Sequence, residues 1–164
     1  MKKTLGLILV ALALVASMGL ASVVNASVAS AVEDTAQGAG TLTAQGDGIA
    51  ILGGRGSVDV SGNGLLWIHD RAGDAIIEVT GYGEREVFAD GWIQYSGFHG
   101  RAHVKGSRII VVLAGADVEL SAHGRGRVIL WGHGTYEING HAGRWSTGLP
   151  TRIRLASPNV SLSE

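Results

Sequence analysis

Three histidines, His99, His123 and His141, fall in glycine-containing segments that close successive sequence repeats. Imidazole nitrogen is a good ligand for a borderline metal such as zinc. If neighbouring repeats stack in register, His123 and His141 would lie side by side and could share an ion. The alternative is that all three are exposed turn histidines, so zinc is one hypothesis for this chain.

Four carboxylates occupy equivalent places in four short amphipathic segments. In-register stacking would align them, and their oxygen atoms could then hold calcium. The segment Gly53–Asp59 is close to the nonapeptide calcium repeat, but valine stands where that repeat requires aspartate and the motif occurs once. Calcium therefore depends on the row alone, whose members are Asp59, Glu78, Glu119 and Glu137.

Aromatic residues near the turns suggest a different chemistry, because exposed flat rings beside polar groups can bind sugar rings. Packing in the core is the alternative for each of them. Trp67 and Trp131 lie in apolar segments and are predicted to be core, and Trp145, after the last repeat, is predicted to cap an end. The candidate ligand-binding residues are Trp92, Trp145, Tyr82 and Tyr95.

No catalytic motif accompanies these residues. The chain has no Cys, no Gly-x-Ser-x-Gly elbow and no phosphate-binding Gly-Lys-Ser/Thr. The Gly-x-Gly pairs end strand-like segments, whereas a dinucleotide fingerprint needs a following helix. We therefore identify no catalytic residue and favour a non-enzymatic protein.

The glycine content indicates how these side chains are positioned. The chain has 26 Gly among 164 residues and a net charge of −1, which gives no basic field for nucleic acid. From Ile49 onward, apolar segments, glycine turns and amphipathic segments alternate in five copies. Short segments rich in Val, Ile and Trp and bounded by Gly indicate strands, and no helix is predicted after residue 31.

The repeat predicts an all-β fold, and we expect a short β-solenoid of about five two-strand repeats with glycine at the corners. An antiparallel β-sandwich or barrel, in which each glycine turn is a hairpin, remains the alternative. The repeat domain is assigned to residues 46–156, with a linker at 32–45 and a tail at 157–164. Within the linker, Thr41–Ala44 could pair as an edge strand.

The N-terminus predicts export. Two lysines precede an uncharged apolar stretch, and Ala29-Ser30-Ala31 fits a small-x-small cleavage site. Residues 1–31 are therefore assigned to a helical signal peptide, with an uncleaved membrane anchor as the alternative. Either assignment places the rest of the chain outside the membrane, in the periplasm, at the cell surface or in the medium.

The segments Ser61–Gly64, Thr80–Gly83 and Val128–Gly132 resemble those of secreted, adhesin-like β-solenoid domains of prokaryotic surfaces. The resemblance covers about 100 residues and carries no catalytic residue. It implies a structural or adhesive role in the cell envelope, with an envelope component, a glycan or another protein as partner. The alternatives are an extracellular carbohydrate-binding or carbohydrate-cleaving domain and a histidine-based metal binder.

Overall fold

The computed structural model describes residues 40–155, which form an antiparallel β-structure without helices. The prediction of no helix after residue 31 is confirmed over this range. The predicted signal or anchor at 1–31 and the tail at 157–164 lie outside the described residues. Within residues 40–155, no helix is long and apolar enough to span a membrane.

Five strands make up the sheet. Thr41–Gln45, which the sequence placed in a linker, belong to the first strand, so the folded part begins before residue 46. The strands are β1 (Thr41–Asp70), β2 (Ile76–Val87), β3 (Trp92–Ile138), β4 (His141–Trp145) and β5 (Thr151–Leu155).

The three long strands form the two arms of one antiparallel ribbon. The tip of the ribbon is the turn at Asp90-Gly91, where the Phe88 amide donates to the Trp92 carbonyl at 2.8 Å. From the tip, β2 and then β1 pair with successively later parts of β3. Representative pairs are Val87–Ile93, Gly81–Gly100, Asp70–Ile109, Val58–Ala122 and Leu42–Ile138.

The ribbon also pairs with itself, because β1 lies between two parts of β3. Val58 pairs with Ala122 on one side and with Val104 on the other, two positions 18 residues apart in β3. A straight strand of 30 residues would extend about 100 Å, so β1 must curve to place its apolar residues in one core. Every pairing among the described strands is antiparallel.

Strict alternation decides which side chains enter the core. Even-numbered positions of β1 point inward. They pack in a single cluster with the inward side chains of β3, which lie at even-numbered positions in some segments and at odd-numbered positions in others. The inward side chains of β1, all at most 6% exposed, are Leu42, Ala44, Ala50, Leu52, Val58, Val60, Leu66 and Ile68.

Glycine occupies the inward positions between these apolar pairs. Gly56 has φ +133° and faces Gly124, and a Cβ at Gly56 would lie 2.1 Å from the His123 carbonyl oxygen. Only glycine allows this backbone angle and this close approach. We predicted a glycine turn between each apolar segment and the amphipathic segment after it. At Gly53–Gly56 that prediction is wrong, because the ladder of strand pairs continues through these residues within β1.

A second apolar group lies on the outward side of the sheet. Trp67 is 7% exposed, as predicted for the core, and its ring stacks on Phe88 at 5.2 Å. Trp131, also predicted to be core, is 41% exposed, and that prediction is wrong. Its position in the register is odd-numbered and outward, where its indole nitrogen donates to the Thr147 carbonyl at 2.8 Å.

Candidate functional site

The outward side of the sheet carries a polar groove of about 660 Å³. Two segments of β1, three of β3 and one residue of β4 contribute to it. The residues that line this polar groove are Thr43, Ala44, Gln45, Asp59, Ser61, Arg101, Glu119, Leu120, Ser121, Thr135, Tyr136, Glu137 and Ala142.

Two rows of cross-strand neighbours give the polar groove its chemistry. Residues directly opposite each other on neighbouring strands point to the same side of a sheet, so each row presents its side chains together. One row runs Asp59, Ser121, Thr43 and Glu137, and the next runs Arg101, Ser61, Glu119, Gln45 and Thr135.

Hydrogen bonds within the groove hold some of these side chains. The Ser61 hydroxyl donates to Oε2 of Glu119 at 3.0 Å. Nδ1 of His103 lies 2.8 Å from Oδ1 of Asp59, and both side chains are more than a third exposed. This exposed pair contributes at most about 1 kcal/mol to stability, so its main effect is to orient the Asp59 carboxylate.

The lining offers carboxylates, an amide, hydroxyls and one guanidinium, but neither histidine nor cysteine. Ser61 donates its hydroxyl to a carboxylate and has no imidazole base beside it in the groove. A nucleophile needs an adjacent base held in hydrogen-bond reach. The lining offers a hydrophilic ligand both hydrogen-bond donors and acceptors.

The four carboxylates predicted to align are on one face but are not neighbours. His103 pairs with both Asp59 and Glu78 and so lies between them. Glu119 belongs to the neighbouring row, and two strands separate Asp59 from Glu137. The reason is that antiparallel pairing brings together residues from opposite arms rather than equivalent positions of successive repeats.

The three candidate metal histidines lie apart. His99 pairs with Asn63 and Tyr82, whereas His123 pairs with Thr41 and Ser57. His141, in β4, pairs with Ile138 of β3. The first segment of β1 lies between this pair and His123. Over residues 40–155, no group of three or more His, Cys, Asp or Glu side chains is placed to hold a metal ion.

The aromatic candidates also separate. Trp92 is 8% exposed, with its ring 4.7 Å from that of His69, and Trp145 is 2% exposed within the core cluster. Tyr95 is half-buried against the same core. Only Tyr82, 79% exposed, presents its ring to solvent, where it stacks on His99 at 6.4 Å.

Sequence reasoning missed the polar groove as a unit. Its signal is the run of polar residues at odd positions, such as Thr41, Thr43 and Gln45, and again Ser57, Asp59 and Ser61. Joining these runs requires the pairing between arms. The Asp90-Gly91 dipeptide could have supplied that register had it been identified as a hairpin tip, since the pairs on either side follow from the tip.

Comparison of the chain with protein-family models, with curated proteins and with solved structures finds no significant match in any of the three.

Proposed function

We propose that this protein is an exported, non-enzymatic structural or adhesive domain of the cell envelope and that the polar groove is its contact surface. The observation that carries the proposal is the pair of polar rows, which five neighbouring strand segments present along one open groove. The apolar N-terminus supports export, and the lining lacks a nucleophile–base pair.

A sheet suits this role because its backbone ladder fixes the spacing of the exposed side chains. Gln45 pairs with Glu119 on one side and Thr135 on the other, so its position is set by two neighbouring strands. Side chains held in this way lose less conformational entropy on binding than side chains on a loop. The groove is thus organised before a ligand arrives.

Carbohydrate binding is the second candidate, and the composition of the groove favours it. Sugar hydroxyls both donate and accept hydrogen bonds, and the lining provides acceptors in Asp59 and Glu137 and donors in Arg101 and Gln45. The aromatic partner expected from the sequence is not Trp92 or Trp145, because both are buried. Tyr136 also lines the groove, but its ring packs against the core and beside Gly143, so hydrogen bonds carry this candidate.

For the architecture, we favour the antiparallel alternative over a solenoid of stacked equivalent repeats. In a solenoid of that kind, each strand would pair in parallel with its equivalent in the next coil. The pairing of Val58 with both Ala122 and Val104 instead supports a long hairpin that winds back over itself.

The test is binding by the secreted protein to cell-envelope preparations and to a glycan array. We expect sedimentation with the envelope, with loss of most of the bound fraction in Gln45→Ala and in Arg101→Ala. Glu84→Ala, an exposed change on β2 outside the groove, is the matched control. Failure of the wild-type protein to sediment with envelope material would overturn the adhesive proposal, and silence on the array would remove the carbohydrate candidate.

A further inference from the structure

A second groove, of about 580 Å³, is rich in cationic side chains. We call it the basic groove. Its lining residues are Arg55, Gly56, Asp74, Ile76, Lys105, Gly106, Ser107, His123, Gly124 and Arg125.

The register brings the cations of the basic groove together. Arg55 of β1 is directly opposite Arg125 of β3, and Ser57, two residues further along β1, pairs with Lys105 and His123 on its two sides. Like charges directly opposite each other on paired strands are unfavourable. An anion placed between the two guanidinium groups would lower this repulsion.

Arg55 and Arg125 carry guanidinium groups, whose forked donors suit sulfate and phosphate. Both side chains are exposed, as is that of Lys105. A compact oxyanion can therefore contact cations from β1 and β3 together.

The single carboxylate in the lining is held at one side. Oδ1 of Asp74 accepts a hydrogen bond from the Ser107 amide at 3.0 Å. Hydrogen bonding by Ser107, first through its side chain and then through its amide, lowers the pKa of Asp74. Asp74 is thus ionised and engaged by Ser107, and the arginines and Lys105 outnumber it.

We propose that the basic groove binds the sulfate or phosphate groups of an anionic polysaccharide. The proposal takes the source of the polymer from the proposed adhesive function, but the site itself uses none of the residues of the polar groove. Arg55 and Arg125 form the centre of the site, and Lys105 extends it along the strand.

Other polyanions fit the surroundings less well. Among residues 40–155, no aromatic side chain lines the basic groove, so these residues offer no stacking surface to the bases of a single-stranded nucleic acid. The acidic residue Glu119 lies four residues along β3 from His123, about 13 Å away, and would repel a flat anionic membrane. A polysaccharide chain can place an isolated charged group in the groove and neutral units beside it.

The experiment measures binding of the secreted protein to sulfated dextran, to phosphorylated dextran and to unmodified dextran of equal length at low salt. We expect binding of both charged polymers, competition by inorganic sulfate or phosphate, and no binding of unmodified dextran. The double change Arg55→Gln with Arg125→Gln should weaken binding at least ten-fold and reduce its salt dependence. Lys105→Gln should weaken binding by a smaller factor.

Arg85→Gln, together with Arg144→Gln, is the matched control, because it removes the same charge from exposed positions outside the basic groove. An equal loss of binding in this control would overturn the proposal, as would tighter binding of single-stranded RNA or of anionic vesicles than of sulfated dextran. Envelope sedimentation with no binding of charged dextran would overturn this proposal alone. Binding of charged dextran without envelope sedimentation would overturn the adhesive function alone.

Discussion

Asp117 donates its backbone amide to Oδ1 of Asp47 at 2.9 Å. Asp117 lies in a bulge of β3, where the pairing with β1 shifts by one residue, and it has φ +51°. Its own carboxylate accepts from the Asn63 amide at 2.8 Å. One residue in the left-handed region thus connects two parts of β1 that are 16 positions apart along the chain.

This relationship predicts the effect of changes at Asp117. Asp117→Ala should lower the free energy of unfolding by about 1 to 2 kcal/mol, because alanine tolerates positive φ poorly and removes the acceptor for Asn63. Asp117→Asn should cost less, since asparagine enters this region more readily. Urea unfolding followed by circular dichroism measures both, and equal losses would contradict the explanation from backbone strain.

The glycines of β1 predict that alanine substitutions at two positions three residues apart have different effects on the free energy of unfolding. Gly56→Ala should lower the free energy of unfolding by at least about 2 kcal/mol, because of its positive φ and the 2.1 Å approach to the His123 carbonyl oxygen. Gly53→Ala is the control, since a Cβ there has no atom within 4 Å. Thermal or urea unfolding of the two variants tests whether close backbone approach, and not glycine content, is the requirement.

The aromatic rings predict different costs inside and outside the core. Phe98 is 1% exposed, so Phe98→Ala should lower the free energy of unfolding by about 3 to 5 kcal/mol. Tyr82 is 79% exposed, and Tyr82→Ala should change it by no more than about 0.5 kcal/mol. Similar values for the two variants would mean that the inward and outward assignments are wrong.

The pKa of Asp74 gives a prediction on pH. Ser107→Ala should raise it towards the ordinary aspartate value, because the largest cause of its lowering is the hydrogen bond from the Ser107 side chain. Ser107→Thr keeps the hydroxyl and should keep the pKa low. Titration followed by NMR of the Asp74 carboxyl carbon measures the change, and identical curves for the two variants would contradict this assignment.

The same pKa shift has a defined sign for stability. A carboxyl whose pKa is lower in the folded protein stabilises the fold above its unfolded pKa, and this contribution is lost as the pH falls through the folded value. Asp74 is fully exposed to solvent, so the contribution is screened. Only the acid limb of the pH–stability curve should differ between Ser107→Ala and the wild-type protein.

Local patterns were sufficient to predict the all-β class. They were not sufficient to predict the pairing of Val58 with Val104 and Ala122, because register between distant segments depends on how often the ribbon winds over itself. The Gly-x-Gly pairs were misleading for a physical reason. Glycine permits both a reversal of the chain and a bend within a continuous strand, and the sequence does not distinguish them.

The assignment of aromatic residues failed for a related reason. Apolar side chains occupy both sides of the sheet near Trp67, so hydrophobicity alone could not tell that Trp92 is buried and Trp131 is partly exposed. The polar groove depends on neighbours from opposite arms, such as Ser61 and Glu119, which are 58 residues apart. The sequence shows the residue types, but it does not show which residues are neighbours across the strands.

The long hairpin also dictates an order of assembly. Val87 and Ile93 meet across a short turn, whereas Leu42 must wait for Ile138, near the other end of the domain. The entropic cost of joining two residues rises with the length of chain between them. We therefore expect strand pairing to begin at the tip of the ribbon and to proceed towards its ends. The beginning of β1 leaves a ribosome or a translocation channel before the other described strand segments, yet it finds its partners late. Even the nearer partner of Leu42, Ala122, lies 80 residues further along the chain.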